Sequence, residues 1–436
     1  MIKKYFSPFC LIVSSLILIY TFYRSEILHV GSVRDYYIKY YVISLIFISF
    51  SIITFFISEV IKVYLIIILI STISSIYLFE GYLVFFRDNF RDNLILKKKE
   101  KIYLETTGKK YDTRSRLQIY SDLKQENYEN LAVTIGRSHF LKSNSIVPLS
   151  GLQNTMTIFC RENGYYNIYQ SDRYGFNNPD TEWDGKEIEY LLIGDSFTHG
   201  ACVNRPYDIT SVLRKLSNKS AINLGISSSG SLTEFASLRE YLPKNVRNII
   251  LLYFEGNDNG ELLDELKNEI LLNYLKNESY SQNLTQKQDL QTQIVKNLMD
   301  EEFKKQNKMI ELSTLKDLIK MRSTRDLFIN EKITFRPELV EILKLSNKLS
   351  KQNNSDFFFV YLPEFNRYKS KNYDLNNYQK IKSIVNYLEI PFIDIHEEVF
   401  EKEENPLKLF PFEMSGHYNV EGYAKVAQAI YRLTQN

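Results

Sequence analysis

Three apolar runs near the N-terminus constrain this chain more than any other feature. Tyr5 to Tyr23 and Tyr40 to Ser58 carry no charge, and Val63 to Phe79 continues past Glu80 through Tyr82 to Phe86. Each of the first two is roughly 19 residues, about 28 Å of helix, which matches the hydrocarbon core of a bilayer. One such run would fit a signal peptide; three predict a membrane region, residues 1–86, with helices at about 5–23, 40–58 and 63–86. Glu59 to Lys62 is so short a connection that the second and third helices should form a tight antiparallel hairpin. With the N-terminus inside, three spans put the large domain outside. Lys3, Lys4 and Lys62 then lie inside, and Arg24, Arg34, Lys39, Arg87, Arg91, Lys97, Lys98 and Lys99 lie outside, the reverse of the positive-inside pattern. That rule weakens beside long domains, so charge leaves the side of the membrane open.

The rest of the chain reads as a globular α/β protein. A net charge of +2 over 436 residues gives no basic field of the kind nucleic-acid binders carry, so no nucleic-acid partner is expected. Cys10, Cys160 and Cys202 are too few for a disulfide framework, and each reads as a free thiol unless the fold joins Cys160 to Cys202. Residues 87–116 form a basic juxtamembrane linker, and 117–186 an aromatic-rich N-terminal extension of the soluble domain. From 187 to 436 strands and helices alternate. Ile188–Ile193, Ala221–Leu224, Ile249–Phe254, Phe357–Leu362 and Pro391–Ile395 read as strands. Between and after them, Tyr207–Leu216, Leu232–Leu242, Pro337–Gln352, Asn377–Leu388 and Glu421–Leu433 read as helices. Such alternation predicts a parallel sheet covered by helices on both faces. A stretch without Gly or Pro, about 261–332, interrupts it as a helical insertion, open to reading as a lid, a partner surface or a solvated spacer.

Four short segments carry the polar chemistry. They are Gly194-Asp-Ser-Phe-Thr-His-Gly200, Asn223-Leu-Gly-Ile-Ser-Ser-Ser-Gly230, Glu255-Gly-Asn-Asp258 and His417-Tyr-Asn-Val-Glu-Gly-Tyr423. Three follow strands and one precedes the last helix. In an open α/β sheet, ligands bind beyond the carboxyl ends of the strands, so the four can converge on one crevice. Ser196 would sit on a strand-to-helix turn, where backbone N–H groups favour an oxyanion.

With these segments in this order, residues from about 160 to 433 resemble the SGNH (GDSL) hydrolase superfamily. Ser171-Asp-Arg-Tyr-Gly-Phe-Asn-Asn-Pro179 is similar to its bacterial membrane-anchored members. The resemblance implies a three-layer α/β/α, flavodoxin-like domain behind the three transmembrane helices. It implies Ser196 as nucleophile, His417 as general base, and an oxyanion hole formed by Ser196, Ser228 and Asn257. An imidazole of ordinary pKa near ~6.5 suits that task, since a serine hydroxyl needs a base to become a nucleophile. The sequence departs from the family pattern in three places. Glu255 stands where the family has glycine in Gly-x-Asn-Asp, Ser228 replaces the glycine of the second block, and the family's Asp before the His is missing, with Met414 and Ser415 at those positions. Glu413 or Asp394 is the expected ring-orienting acid, with a Ser–His dyad on a backbone carbonyl as the other possibility. Among the other histidines, His29 lies between membrane runs, His139 precedes the sheet, and His199 follows Ser196 on the same turn. Asp394-x-His396 is the rival acid–base pair.

Histidines this dispersed predict no metal, and no glycine-rich phosphate loop or other cofactor motif is present. Lys97 to Lys101 reads as a solvated juxtamembrane run able to attract anionic headgroups. The expected activity is a serine esterase working through an acyl-serine. Membrane-anchored relatives point to O-acyl groups of cell-surface glycans and to an extracytoplasmic domain on a bacterial inner membrane. An O-acyltransferase using the same Ser–His site is one alternative. A catalytically silent glycan-binding or assembly module is another. The partners expected are an acylated carbohydrate or other ester, the lipid bilayer, and a membrane protein recruited by the insertion.

Overall fold

The computed structural model describes residues 2–28, 31, 34–128, 130–143, 145–328 and 335–435; His29 and the last residues of the insertion lie outside these. The chain divides into two units, Met1–Asp92 with Leu312–Asn330, and Asn93–Glu311 with Glu331–Asn436.

In the first unit, three helices are long and apolar enough to cross a membrane: Lys4–Leu28, Tyr36–Ile53, and a third that starts at Glu59 and runs on to Thr107 in the second unit. The third begins four residues earlier than its apolar run suggested, because Ser58 caps it, accepting the Ile61 N–H at 3.4 Å. The first two helices meet through hydroxyls. Ser7 Oγ donates to the Thr54 carbonyl at 2.9 Å, and Ser14 and Ser51 hydroxyls lie 3.2 Å apart. Small polar residues of this kind let apolar helices approach closely. Most large side chains on these helices, Leu16, Ile46 and Leu78 among them, are exposed. Such surfaces suit lipid rather than water. The insertion contributes to this unit as well. Its short helix Arg322–Phe328 starts on Glu80, which accepts the N–H groups of Ser323 at 2.9 Å and Thr324 at 2.7 Å.

The second unit holds two sheets. A small one is made of three-residue strands, β1 (Leu131–Val133), β2 (Met156–Ile158) and β3 (Ile168–Gln170), with β1 parallel and β3 antiparallel to β2. The large one is parallel, with β4 (Ile188–Gly194), β5 (Ser220–Asn223), β6 (Val246–Phe254), β7 (Asp356–Leu362) and β8 (Phe392–Asp394) in the order β5-β4-β6-β7-β8. This is the doubly wound order in which the chain reverses direction of winding between β4 and β6, and a crevice opens at their carboxyl ends.

Alternation along the strands builds two cores. Leu191, Ile193, Ile249, Leu251, Phe357 and Phe359 face helices Ser231–Tyr241, Glu338–Gln352 and Asn376–Tyr387. Tyr190, Leu192, Ile250, Leu252, Val360 and Ile393 face helices Ile209–Ser217 and Val420–Leu433. A buried strand with both faces covered must be apolar at every position, which explains why β4 and β6 stood out as continuous runs. The five strands and their helices fall within three residues of their expected bounds, the largest difference being β6, which starts at Val246 rather than Ile249, and the domain is the three-layer α/β/α expected.

Candidate active site

The turn after β4 is built around Ser196. Gly194 has φ +154, and a Cβ there would lie 2.1 Å from Thr198 Oγ1 and 2.7 Å from the Leu252 carbonyl on β6, so only glycine lets the strand bend so close to its neighbour. Asp195 caps the short helix Ser196–His199, its Oδ1 accepting the Phe197 N–H at 2.9 Å. Asn177 and Asn178 hold this turn from outside. Their amides donate to the His199 carbonyl and to the Asn223 carbonyl at the end of β5, each at 2.9 Å.

Ser196 Oγ lies 2.8 Å from His417 Nε2 and 3.2 Å from Asp195 Oδ2. The other side of the ring meets a carboxylate that neither strand ends nor the last helix supply. His417 Nδ1 is 3.0 Å from Glu162 Oε1, and the His417 backbone N–H donates to Glu162 Oε2 at 2.5 Å. A Cβ at Gly416 would fall 2.5 Å from the same Oε2, so the missing side chain is what admits the carboxylate.

This corrects the expectation for the ring-orienting acid. Glu413 is exposed and makes no contact with the ring. Asp394 caps the short helix behind it, accepting the His396 backbone N–H at 3.1 Å, and its other oxygen is taken by the Tyr378 hydroxyl at 2.5 Å. The rival histidine does not face its aspartate: His396 Nδ1 bonds the Tyr368 hydroxyl at 3.0 Å. His199 points away from Ser196, to the Tyr169 hydroxyl at 2.7 Å, and burial holds it down to about 3, as a neutral ring. His139 pairs with Glu302 at 2.9 Å.

Glu162 precedes His417 by 255 residues, so no search near the histidine could reach it. A second observation explains how it arrives. Cys160 and Cys202 form a disulfide, contrary to their reading as free thiols. One cysteine stands two residues before Glu162 and the other six after Ser196. Asn163 reinforces the link by donating its amide to the Cys202 carbonyl at 2.9 Å. The signal available in the sequence was this pairing of cysteine spacings around an acid and a serine.

The electrostatics follow from the line Glu162–His417–Ser196. Burial disfavours the imidazolium, but the charge and hydrogen bond of Glu162, helped by Asp195, outweigh it and raise the His417 pKa. Reciprocally, burial would raise Glu162, yet the ring charge and its two N–H donors lower it. Glu162, Cys202 and His417 are close enough together to suggest a metal site, but the disulfide occupies the Cys202 sulfur, and the pair Glu162–His417 is already satisfied by its own hydrogen bond.

The residues expected to form the oxyanion hole with Ser196 lie on the loops after β5 and β6. Ser228 sits in the left-handed region at φ 60, a conformation that favours glycine. Its N–H and that of Ser196 donate to no acceptor among the described residues. Ser229 Oγ and the Ile226 N–H tie this loop to the Gly194 carbonyl at 3.3 and 3.2 Å. Asn257 begins the helix after β6, and its amide lies against the carboxyls of Asp195 and Glu261. Glu255, at the family's glycine position, turns away to Arg367 at 3.0 Å and to the Glu364 N–H at 2.8 Å. Near Asn257, burial foremost and then the charge of Asp195 raise the pKa of a group of acids. Glu261 is pushed up to about 9, and Glu234 and Asp258 well above the usual carboxylate range.

Comparison with solved structures finds similarity to G-D-S-L family proteins. One is from Desulfitobacterium hafniense DCB-2, at 15% identity and TM-score 0.30, over 57% of this chain and 99% of that one. A lipolytic protein of the family from Veillonella parvula DSM 2008 shows 14% identity and TM-score 0.31, over 57% and 99%. A protein from Lactobacillus plantarum shows 11% identity and TM-score 0.30, over 57% and 96%. No family model matches the chain, and no curated protein matches it. The α/β domain itself is a three-layer, doubly wound fold with strand order β5-β4-β6-β7-β8; three of the four polar segments follow its strands and the fourth leads into its last helix.

Proposed function

We propose that this protein is a membrane-anchored serine esterase acting on O-acyl esters, with O-acyl groups of cell-surface glycans as its substrate class. The observation that carries the reading is the continuous hydrogen-bonded line from Glu162 through His417 to Ser196. A serine aligned this way is activated by one proton transfer, to His417, while Glu162 stays ionised and holds the ring in place. Ser196 Oγ attacks the acyl carbon while its proton passes to His417 Nε2. The carbonyl oxygen becomes an oxyanion that takes hydrogen bonds from the Ser196 and Ser228 N–H groups and the Asn257 amide. The intermediate expels the sugar oxygen, which takes the proton from His417. Water then attacks the acyl carbon and gives its proton to the ring, and the second intermediate collapses to free carboxylic acid as His417 returns that proton to Ser196 Oγ. A sugar hydroxyl in place of water would make the same site an acyltransferase. A catalytically silent module would follow from the missing acid and from Ser228 in the glycine's place; Glu162 answers the first, and Ser228 keeps a backbone N–H that can still donate.

The disulfide supports an extracytoplasmic domain, since crosslinks of this kind persist where thiols are not kept reduced. It agrees with three spans from an N-terminus inside, and it weighs more than the lysine and arginine count beside a long domain.

A fluorophosphonate probe on the detergent-solubilised chain tests the reading. Wild type should label, Ser196→Ala and His417→Ala should not, and His396→Ala should label as wild type. A folded wild type that neither labels nor releases acetate from an acetylated oligosaccharide or an aryl acetate would end the esterase reading.

A further inference from the structure

A cleft of about 930 Å³ opens in the second unit beside the Glu162–His417 pair. Its rim includes Asn163, which follows Glu162, and Asn419, two residues past His417. Four lysines line it, Lys98, Lys109, Lys369 and Lys408. They come from the helix Asn89–Thr107, the segment after it, and two short helices of the sheet domain, Phe365–Lys369 and Pro406–Leu409.

None of these four ammonium groups meets a carboxylate among the described residues. Elsewhere in the C-terminal half the fold pairs its cations closely. Lys425 bonds Glu403 and Glu421, Lys402 and Arg432 both bond Glu398, and Lys382 bonds Asp394 and Glu397. Of the two acids on the cleft wall, Glu421 is thereby engaged at 2.9 Å, which leaves Glu413. Four cations facing one uncommitted anion make a positive trough, and such a trough concentrates anionic ligands. Tyr103 and Phe412 form part of its wall, their rings 6.3 Å apart and edge-to-face. Aromatic faces give the carbon-bound hydrogens of a sugar an apolar surface to pack on.

We propose that this cleft is a subsite for an anionic glycan strand, whose carboxylate or phosphodiester groups the lysines bind while an ester further along reaches Ser196. The proposal rests on the esterase reading for the second half of that statement only. Lysines from separate segments around a recess fit a strand lying in it. A membrane surface would instead meet coplanar charges on one face, and of the run Lys97–Lys99 only Lys98 lines the cleft. The size suits a few sugar units rather than a single ion.

The test uses the full chain in neutral detergent, with Lys369→Glu/Lys408→Glu as the variant. Both side chains are exposed and outside the reacting centre. Four probes are titrated: a polyuronate hexasaccharide, a poly(glycerol phosphate) oligomer, a neutral cello-oligosaccharide and phosphatidylglycerol vesicles. Wild type should bind at least one anionic oligomer, and the variant should bind it about tenfold or more weakly. Fluorophosphonate labelling of Ser196 should be equal in both, which also certifies the variant's fold. The two anionic oligomers separate carboxylate from phosphodiester recognition. Equal binding of the neutral probe, or unchanged anionic binding in the variant, would overturn the subsite. So would a loss seen only with phosphatidylglycerol vesicles, which would assign the lysines to lipid. If the variant does not fold, wild-type binding measured against salt decides: affinity that does not fall between low and high ionic strength overturns the proposal. Lysine-dependent glycan binding by a chain that never labels would sink the esterase reading and leave the subsite standing.

Discussion

Glu162 raises the His417 pKa, and that fixes how activity should depend on pH. The ring serves as a base only when neutral, so turnover should rise with pH through the His417 pKa. Glu162→Gln removes the charge that favours the imidazolium. The acid limb of the kcat/KM profile should therefore move to lower pH, while kcat falls by about 10²–10⁴-fold, because a ring without its carboxylate is poorly held in the right tautomer. A limb that stays in place would show that Glu162 does not touch the reacting ring. Gly416→Ala should give a similar loss of kcat with little change in KM, since the new methyl occupies the position of Glu162 Oε2. Glu261 gives a prediction about stability. Its pKa is raised from the usual carboxylate range to about 9 in the folded chain. The unfolded chain sheds that proton first, so the folded state loses ground progressively as pH rises from about 4.5 to 9. Glu261→Gln, which needs no proton, should raise the midpoint of thermal unfolding at pH 8 and leave it unchanged near pH 4. Ser196 and His417 were legible because each adjoins a strand end or a helix start with its own pattern. Glu162 was not, because no local pattern marks an acid that works from 255 residues away.

Among the elements, legibility followed burial. β4 from Tyr190 and β6 from Ile249 are continuously apolar because helices cover both faces, and a run of that kind is visible without a partner. β1, β2 and β3 are three residues each and depend on one another, so nothing in 117–186 announced them. The helix Ser231–Tyr241 shows how much of an element's stability can come from a distance. Gly230 offers no side chain to cap it. Instead Glu265 reaches in, accepting the N–H groups of Gly230, Leu232 and Thr233 at 2.8, 3.2 and 3.1 Å. Arg137 stands beside it, fully buried, donating to Thr233 Oγ1 and to the Pro148 carbonyl. Glu265→Ala leaves three buried N–H donors without their acceptor and removes a charge that favours the Arg137 guanidinium. Chemical denaturation of the solubilised protein should show a loss of about 3–5 kcal/mol. Because this helix follows the Ser228 loop directly, labelling of Ser196 should weaken as well. A loss under about 1 kcal/mol would mean the cap is dispensable.

At the scale of the molecule, the three apolar helices were visible by length alone, whereas the crosslink was not, since cysteine count argues against pairing until the fold brings Cys160 and Cys202 together. That crosslink joins the segment of Glu162 to the turn of Ser196. Reducing it, or replacing both cysteines by serine, should lower kcat by about tenfold or more while leaving the sheet domain folded, as read by circular dichroism. Full activity after reduction would show that Asn163 and its neighbours hold Glu162 unaided. On the proposed topology this bond also acts as a clock. A newly made chain in the cytosol carries its serine and histidine but not the fastening that sets their acid in place. Maturation would then come from an oxidant met after translocation, the part played in secreted zymogens by a protease, and the cell's own esters would be spared until the domain has crossed.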